Sequence, residues 1–419
     1  MNSRLYWKTQ MRQILLFVFL LVLSQKSTFV TNARNHGYKI VCYYSTWAVY
    51  RPAPMSYGIN NIPGNLCTHL VYQYVRLDEK TNGLKSLDKY FDYELRGLID
   101  FAALRLKWPH LKIMVSVGGW ADSGVKYSNM VSKSESRRQF ISSVLSFLNH
   151  YKFDGLDLDW QYPGVPWRGG EPSDITNLSH LLKVSALLIP TFRFQRIFFH
   201  LIVIDQQELK EEFVKRNYIL SVIVPIVESY VKSGYDVDEI SRHLDQIHVM
   251  AFHLRSNWTG FADIHSPLYP RSFDTFDRTL NVRDGLKMWV DAGAPKNKLI
   301  VGVPFFGKSF TLKNPKKNTQ KSPITQPGLG VAGNYSHEPG FLTYYEQKSF
   351  IHYKLPFDSQ ICTQIESGKW TRKWDAQGKA PYAFHKDQWV GYEDDESLAA
   401  KMEFIKNEGY GGAMIWSIG

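Results

Sequence analysis

Eight short apolar runs constrain the fold of this chain more than any other feature of its sequence. They cover residues 38–44, 68–74, 112–117, 155–160, 218–225, 246–252, 299–304 and 413–418. Stretches with helical periodicity lie between them, most clearly at 93–108, 134–151, 282–293 and 396–407. Continuous apolar runs are typical of buried parallel strands, and strands that alternate with helices indicate an α/β fold. The alternation predicts a (β/α)8 TIM barrel, whose active face lies at the C-terminal ends of the strands.

Two segments interrupt this alternation. Residues 309–387 are rich in Tyr, Trp, Gly and Pro and have short strand signals, which predicts a small α+β insertion between the seventh strand and its helix. Residues 184–207 form an abrupt Phe-, Ile- and Leu-rich stretch inside the fourth helical pattern. Without that stretch, Leu182 would continue into Leu209 and Phe213 on one helical face. We therefore expect an atypical insertion or an untrimmed read-through in the fourth helix, and a genuine buried element is the alternative.

The sequence stops directly after the eighth predicted strand, at Gly419. No residues follow that could form an eighth helix, so the barrel is expected to lack its last helix. The apolar face of strand 413–418 would then be bare, and a bare apolar face favours aggregation or association with a partner.

The N-terminal segment 1–33 has the features of a secretory signal. Arg12 precedes an apolar run of about ten residues, 14–23, which fits the apolar region of a signal peptide and is too short to span a bilayer. We therefore expect an extracellular protein in which residues 38–419 form the barrel and nothing attaches the chain to a membrane after cleavage. N-glycosylation sequons begin at Asn177, Asn257 and Asn334.

The charge of the chain limits its possible partners, and its cysteines limit the possible disulfides. The chain has 50 Lys and Arg against 39 Asp and Glu, but no basic run of five or more, so we expect no nucleic-acid partner. Cys42 and Cys67 lie at the starts of the first two predicted strands, which are neighbours in a barrel, and they are plausible disulfide partners. Cys362 would then be a free thiol.

The segment 153–163, Phe-Asp-Gly-Leu-Asp-Leu-Asp-Trp-Gln-Tyr-Pro, carries the chemistry. Because alternate residues of a strand share one face, Asp157, Asp159 and Gln161 are expected to point into the barrel at its C-terminal mouth. Two buried carboxylates side by side are costly unless they share a proton or serve a reaction. Hydrogen-bonded packing without a reaction is the alternative for such a cluster.

In these motifs the chain resembles family 18 glycoside hydrolases, the chitinases and chitinase-like proteins, and in particular arthropod members. The family pattern Asp-x-x-Asp-x-Asp-x-Glu is matched at Asp154, Asp157 and Asp159, with Gln161 in place of Glu. The resemblance extends from about residue 38 to 418. It includes the motifs at 42–47, 116–120, 302–307 and 411–416.

The resemblance implies a role for each of these side chains. In active members the Glu protonates the glycosidic oxygen while the N-acetyl carbonyl of the substrate attacks the anomeric carbon, a substrate-assisted route. The residue equivalent to Asp159 orients the acetamide and stabilises the positive intermediate. Gln161 can donate a hydrogen bond but cannot transfer a proton, so the resemblance predicts an impaired acid step. In this replacement of Glu by Gln, the chain resembles imaginal disc growth factors.

The sixth strand also departs from the family. It has Met250, Ala251, Phe252 and His253 where the family has Met-x-Tyr-Asp, so the hydroxyl and the carboxylate that help to hold the N-acetyl group are missing. His253 is expected to be a partly exposed polar residue.

Aromatic residues at matching strand ends would form the sugar-binding lining. The resemblance assigns this role to Tyr43, Trp47, Tyr74, Trp120, Tyr162 and Trp416, with Met250 and Phe252 also at the binding site. Aromatic faces pack well on the apolar faces of pyranose rings. Core packing is the alternative for any one of them.

These expectations lead to one interpretation and two rivals. The chain is expected to be a secreted chitinase-like protein that binds chitin or chitooligosaccharides without hydrolysing them, as a lectin or as a growth-factor-like signal for a cell-surface receptor. The first rival is a weakly active chitinase, and the second is a poorly folded product without function. No metal-ligand spacing or phosphate loop is evident, so we expect no metal and no cofactor.

Overall fold

The computed structural model describes residues 37–53, 55–183, 209–275, 278–333, 335–343 and 368–419. The predicted signal segment 1–33, the atypical segment 184–207, Asn334 and Cys362 lie outside these residues. The strands, in chain order, are β1 (Lys39–Ser45), β2 (His69–Leu77), β3 (Leu84–Ser86), β4 (Lys112–Gly118), β5 (Gly155–Asp159), β6 (Ile219–Pro225), β7 (Gln246–Met250), β8 (Phe261–Ala262), β9 (Leu299–Pro304), β10 (Phe306–Leu312), β11 (Ser322–Leu329), β12 (Phe341–Thr343), β13 (Thr371–Asp375), β14 (Ala380–His385), β15 (Gln388–Gly391) and β16 (Gly412–Ile418).

The α-helices are α1 (Gly97–Lys107), α2 (Gly124–Ser132), α3 (Ser134–Tyr151), α4 (Asp174–Leu182), α5 (Leu209–Arg216), α6 (Glu228–Gly234), α7 (Val237–His243), α8 (Val282–Asp291) and α9 (Asp395–Glu408). In the part of the chain that the structure describes, no helix combines the length and the apolar character needed to cross a bilayer.

The predicted fold class is confirmed. Eight parallel strands, β1, β2, β4, β5, β6, β7, β9 and β16, form a closed barrel, and a separate antiparallel sheet contains β8 and β10 to β15. The predicted barrel strands agree with the observed ones within three residues at each end. The first predicted helix, 93–108, begins later, at Gly97, because residues Tyr90–Glu94 form a separate π-helical turn and Arg96 has a left-handed φ of 60°.

The chain divides into two compact units. The first contains the residues up to Thr68, Val249–Met288 and Ile300–Gly419, and the second contains His69–His248 and Trp289–Leu299.

In the second unit, β2, β4, β5 and β6 are parallel neighbours in that order. The register of these strands places Asp157 of β5 opposite Ser116 of β4 on one side and Ser221 of β6 on the other. Residues paired in a parallel sheet point to the same face. Three polar side chains of three strands therefore meet in the interior, where Gln73 and His248 are also completely buried.

In the first unit, β16 lies between β1 and β9, and a disulfide joins Cys42 of β1 to Cys67. The expectation of a disulfide is thereby confirmed. The antiparallel sheet has its own core, in which Trp389 packs against Phe310 and Tyr382.

One buried arginine joins several loops around the antiparallel sheet. Both Nη atoms of Arg271 lie 2.6 Å from the carboxylate of Asp263, Nη2 lies 2.9 Å from Asp274, and Nη1 lies 3.3 Å from Asp375. Arg271 and Asp263 are completely buried. Burial of a charged group is tolerated only when it is paired, so replacement of Arg271 would deprive these three buried carboxylates of the cation that they share.

The expectation of a bare face on the last barrel strand is wrong. Ala413, Met414, Ile415 and Ile418 of β16 are all buried. Helix α9 precedes the strand, and its residues Met402 and Ile405 are buried as well. Successive side chains of a strand point to opposite faces, so burial of Ala413 and Ile415 together with Met414 means that both faces are covered.

We predict that the disulfide stabilises the fold through the unfolded state. The Cys42–Cys67 link spans 25 residues, and closing such a loop is worth about 3.5 kcal/mol in the chain-entropy account. The double variant Cys42→Ser, Cys67→Ser should therefore have a free energy of unfolding lower by about that amount, measured by urea denaturation. The difference from the wild-type protein should vanish in reducing buffer. A difference that persists there would mean that the serines disturb packing instead.

Candidate functional site

Strand β5 presents the acidic residues of the site. Asp157 and Asp159 are two residues apart and both are completely buried, and Gln161 follows at the end of the strand with 7% of its surface exposed. The alternating pattern of β5 explains the arrangement, because Leu156 and Leu158 occupy the intervening positions in the core. The structure therefore places the predicted trio together in the interior of the second unit.

Both carboxylate oxygens of Asp157 have hydrogen-bond partners on neighbouring strands. Its carboxylate accepts hydrogen bonds from Ser116 Oγ at 2.8 Å and from Ser221 Oγ at 2.6 Å, and His248 Nδ1 lies 3.3 Å away. Burial alone would raise the pKa of Asp157, but the hydrogen bond and charge of His248, together with the two serine hydroxyls, outweigh burial and lower that pKa below its ordinary value. Asp157 is therefore ionised at neutral pH.

His248 belongs to a short chain of buried polar contacts behind Asp157. Gln246 Nε2 lies 3.0 Å from His69 Nε2, and an amide nitrogen can only donate. The Gln246 Oε1 atom, 3.1 Å from His248 Nε2, is then the acceptor of that contact. His248 Nδ1 lies 3.3 Å from the Asp157 carboxylate, so these contacts connect Asp157 to Gln246 through His248.

Asp159 has the opposite electrostatic character. Burial raises its pKa to about 7, repulsion from Asp157 acts in the same direction, and hydrogen bonds from Gln161 and Tyr74 lower it only in part. Gln161 Nε2 donates to Asp159 Oδ1 at 2.7 Å. The other oxygen, Oδ2, is buried and has no hydrogen-bond partner among the described side chains. Asp159 is therefore the carboxyl group of this pair that gains and loses a proton near neutral pH.

Two glycines at the end of β4 allow the close packing around Asp159. Gly118 and Gly119 have φ angles of 121° and 92°, which side chains rarely adopt. A Cβ on Gly118 would lie 2.1 Å from the carbonyl oxygen of Asp159, and one on Gly119 would lie 2.9 Å from the Tyr74 ring. Gly119 N–H also donates to the Asp159 carbonyl at 2.9 Å. Larger residues here would displace either Asp159 or Tyr74.

The loop after β5 connects Gln161 to an exposed aromatic residue. Arg168 Nε donates to the Gln161 carbonyl at 2.8 Å, and Arg168 Nη2 donates to the Trp120 carbonyl at 2.6 Å. The Arg168 guanidinium also lies over the Trp120 ring, 4.2 Å from its centroid. Arg168 thus fixes the position of Trp120 relative to the acidic strand.

The predicted aromatic residues of the second unit differ in exposure. Trp120 is 57% exposed and Tyr162 is half-buried, so both have surface that a ligand can reach. Tyr74 is buried, and its hydroxyl interacts with Asp159 and accepts a hydrogen bond from Gln73 Nε2 at 2.9 Å. Tyr74 therefore interacts with the carboxyl group of Asp159 and adds little accessible surface for a ligand.

The first unit holds the remaining predicted binding residues. Trp416 is half-buried and packs against Tyr43 and Phe252, with ring centroids 5.0 and 5.7 Å away. Tyr43 is completely buried, and Met250 and Phe252 are also buried. Trp47 is exposed. Tyr43 and Phe252 thus support the Trp416 ring, which has the accessible surface.

His253 is exposed, and its backbone N–H lies 3.3 Å from His265 Nδ1. Its ring packs on Phe306 at 4.6 Å.

Sequence reasoning missed several residues that shape the site. Ser116, Ser221 and His248 surround Asp157, and Arg168 holds the loop after β5. The first three were detectable in principle, because each is a polar residue within an apolar strand run. Arg168 has no such signal, since its role depends on how the loop folds. Among the described residues, no group of three His, Cys, Asp or Glu side chains is placed to hold a metal ion.

We predict an opposite pH dependence of stability for the two carboxyl groups. The folded pKa of Asp159, about 7, lies above its ordinary value of 3.8, so its stabilising contribution is complete below pH 4 and is lost as the pH rises through 7. Asp159→Asn should therefore gain stability relative to wild type between pH 4 and 8, by at most about 4 kcal/mol. Thermal or urea unfolding across this range measures the difference.

Asp157→Asn is the matched control for this experiment. The pKa of Asp157 is lowered, so its contribution is present above its unfolded pKa and is lost as the pH falls through the folded value. This variant should lose stability relative to wild type as the pH rises from acid. Parallel pH profiles of both variants would contradict the assignment.

Comparison with known proteins identifies relatives over nearly the whole described chain. The model of the family described as Glycosyl hydrolases family 18 matches residues 39–419. An endochitinase of Manduca sexta is 42% identical over 387 residues, which are 91% of this chain and 63% of the relative. Chitotriosidase-1 of Mus musculus is 32% identical and covers 90% of this chain and 72% of its own length. The chain thus spans less than two thirds of the Manduca relative.

Solved structures give the same assignment. The Group IV chitinase of Ostrinia furnacalis is 32% identical, with a TM-score of 0.78 over 91% of this chain and 93% of that one. Human YKL-39, described as a pseudo-chitinase with retained chitooligosaccharide binding properties, is 29% identical, with a TM-score of 0.75 over 91% and 92%. On the family match and on these likenesses, the chain belongs to glycosyl hydrolase family 18.

Proposed function

We propose that this protein is a secreted chitinase-like protein that binds chains of β-1,4-linked N-acetylglucosamine and does not hydrolyse them efficiently. The observation that carries the proposal is the amide of Gln161, whose Nε2 donates to Asp159 Oδ1 at 2.7 Å. In the family pattern this position belongs to the acid that protonates the glycosidic oxygen. An amide has no proton to transfer near neutral pH, so general acid catalysis from this position is lost.

The neighbouring carboxylates do not replace the missing acid well. Asp157 is completely buried and its lowered pKa keeps it ionised, so it has no proton to give. Asp159 carries a proton in part of the molecules at neutral pH, because burial raises its pKa to about 7, but it too is completely buried. A general acid must come within hydrogen-bond reach of the oxygen that it protonates. These features support a large loss of turnover.

Sugar binding depends on features that the replacement leaves intact. Trp120 is exposed and held by Arg168, and Trp416 is packed on Tyr43 and Phe252. Aromatic surfaces with few polar partners are typical of ligand sites. Human YKL-39, which is similar over most of the chain, is described as retaining chitooligosaccharide binding, and this likeness supports a binding function here.

Secretion is part of the proposal. The Cys42–Cys67 disulfide supports it, because disulfides persist mainly in oxidising compartments outside the cytosol. The apolar run 14–23 supports it as well. A growth-factor-like signal through a cell-surface receptor stays a prediction from the resemblance, since no contact of the described residues bears on it.

A slow chitinase is the second candidate, and the raised pKa of Asp159 favours it. A partly protonated Asp159 beside Gln161 could supply a proton through a water molecule at a low rate. Its turnover would fall as the pH rises through 7, because the protonated form of Asp159 disappears there.

We predict that chitohexaose binds saturably to the wild-type protein in a calorimetric titration, without a sustained heat of turnover. Gln161→Glu restores a titratable acid beside Asp159 and should raise hydrolysis at least tenfold above the wild-type rate. The revertant should still be weak, because the sixth strand has Phe252 and His253 instead of Tyr and Asp. Product analysis by chromatography measures the rate.

Gln161→Ala is the matched control, because it removes the amide without providing an acid. It should stay inactive and should still bind chitohexaose. Wild-type turnover that Gln161→Glu does not increase would overturn the assignment of position 161 as the lost acid. Absence of binding by a folded wild-type sample would overturn the lectin function itself.

A further inference from the structure

Trp167 is an exposed tryptophan that was not among the predicted site residues, and it extends the aromatic surface of the site. Trp167 is 61% exposed on the turn Pro166–Arg168 that follows β5. Its ring lies 5.9 Å from the ring of Trp120 and 6.2 Å from the ring of Tyr230, and Tyr230 in turn lies 5.1 Å from Tyr162. We call Trp120, Trp167, Tyr230 and Tyr162 the aromatic row. All four belong to the second unit.

The turn that carries Trp167 is built rigidly. Asp174, which is completely buried, accepts hydrogen bonds from Gly164 N at 3.0 Å, Glu171 N at 2.8 Å and Ser128 Oγ at 2.6 Å. The turn also packs directly on helix α2, since a Cβ on Gly124 would lie 2.1 Å from the carbonyl oxygen of Arg168. A large apolar ring is therefore held in water by a fixed backbone. Such preorganisation lowers the entropic cost of binding.

Arg168 determines which ring surfaces are available. Its guanidinium lies 4.2 Å from the Trp120 centroid and 5.8 Å from the Trp167 centroid, so it covers one side of Trp120 closely. The planes of the two tryptophans differ by 57°. The rings therefore turn their faces in different directions, and they suit successive residues of one chain better than a single sugar.

We propose that Trp167, supported by Tyr230, forms an additional sugar-binding position that extends the Trp120 surface and makes the protein prefer long N-acetylglucosamine chains to short ones. This inference rests on the proposed function. The occupant follows from the chemistry of the row, because pyranose faces offer C–H groups that pack on aromatic faces while their hydroxyls stay in water. The Trp167 ring contacts the Trp120 ring, and the neighbouring Arg168 donates a hydrogen bond to the Gln161 carbonyl.

The test compares ligand lengths in calorimetric titrations of the full chain. We expect Trp167→Ala to weaken binding of chitohexaose about tenfold and to change binding of chitobiose less than twofold. Trp167→Phe should restore most of the hexaose affinity. Leu106→Ala is the control, because Leu106 is an apolar residue, 83% exposed near the C-terminal end of α1, and its removal should leave both affinities unchanged.

The other outcomes separate this inference from the proposed function. Equal hexaose affinity of Trp167→Ala and wild type would overturn the inference and leave the lectin function standing. An equal loss for both ligands would also overturn it, because Trp167 would then act on the central site through Arg168. Failure of the wild-type protein to bind either ligand would contradict the proposed function, on which this inference rests. Thermal unfolding of Trp167→Ala shows whether the variant is folded.

Discussion

The buried carboxylate of Asp157 is the constraint around which the second unit is organised. A charge in this interior is tolerated only with donors and a countercharge, and three other strands supply them: β4 with Ser116, β6 with Ser221 and β7 with His248. The register of β4, β5 and β6 therefore has an electrostatic role as well as a packing role. Because these partners lower the pKa of Asp157, its negative charge is fixed below Asp159.

That fixed charge separates the tasks of the two aspartates. Asp157 is part of the framework, whereas Asp159 responds to pH because burial raises its pKa to about 7 and repulsion from Asp157 acts in the same direction. A Glu at position 161 would share a proton with Asp159, while Gln161 gives Asp159 a donor that never titrates. In the proposed function, proton transfer and ligand recognition thus depend on different atoms, and replacement of one side chain affects the first without removing the second.

The fold was more predictable from the sequence than the site. The apolar runs of the barrel strands are long and regular, so the strand positions follow from periodicity, and α3 begins and ends at the predicted residues Ser134 and Tyr151. The start of α1 was missed because the backbone reverses at Arg96, which has no marker such as glycine or proline. The trio on β5 follows from the two-residue period of a strand. Its partners on other strands required the register, and Trp167 and Arg168 required the path of a loop, which single-sequence patterns do not encode.

The amide of Gln161 also matters for how the purified protein behaves. Hydrolytic deamidation of a glutamine produces a glutamate, and at this position the product would carry the acid that the family pattern requires. The side chain is almost inaccessible to water and its nitrogen is bound to Asp159, so the native fold protects it. Ageing or partial unfolding removes that protection. Under the proposed function, trace chitinase activity in an old sample would report chemical damage, and peptide mass analysis of residue 161 would distinguish it from turnover by the intact chain.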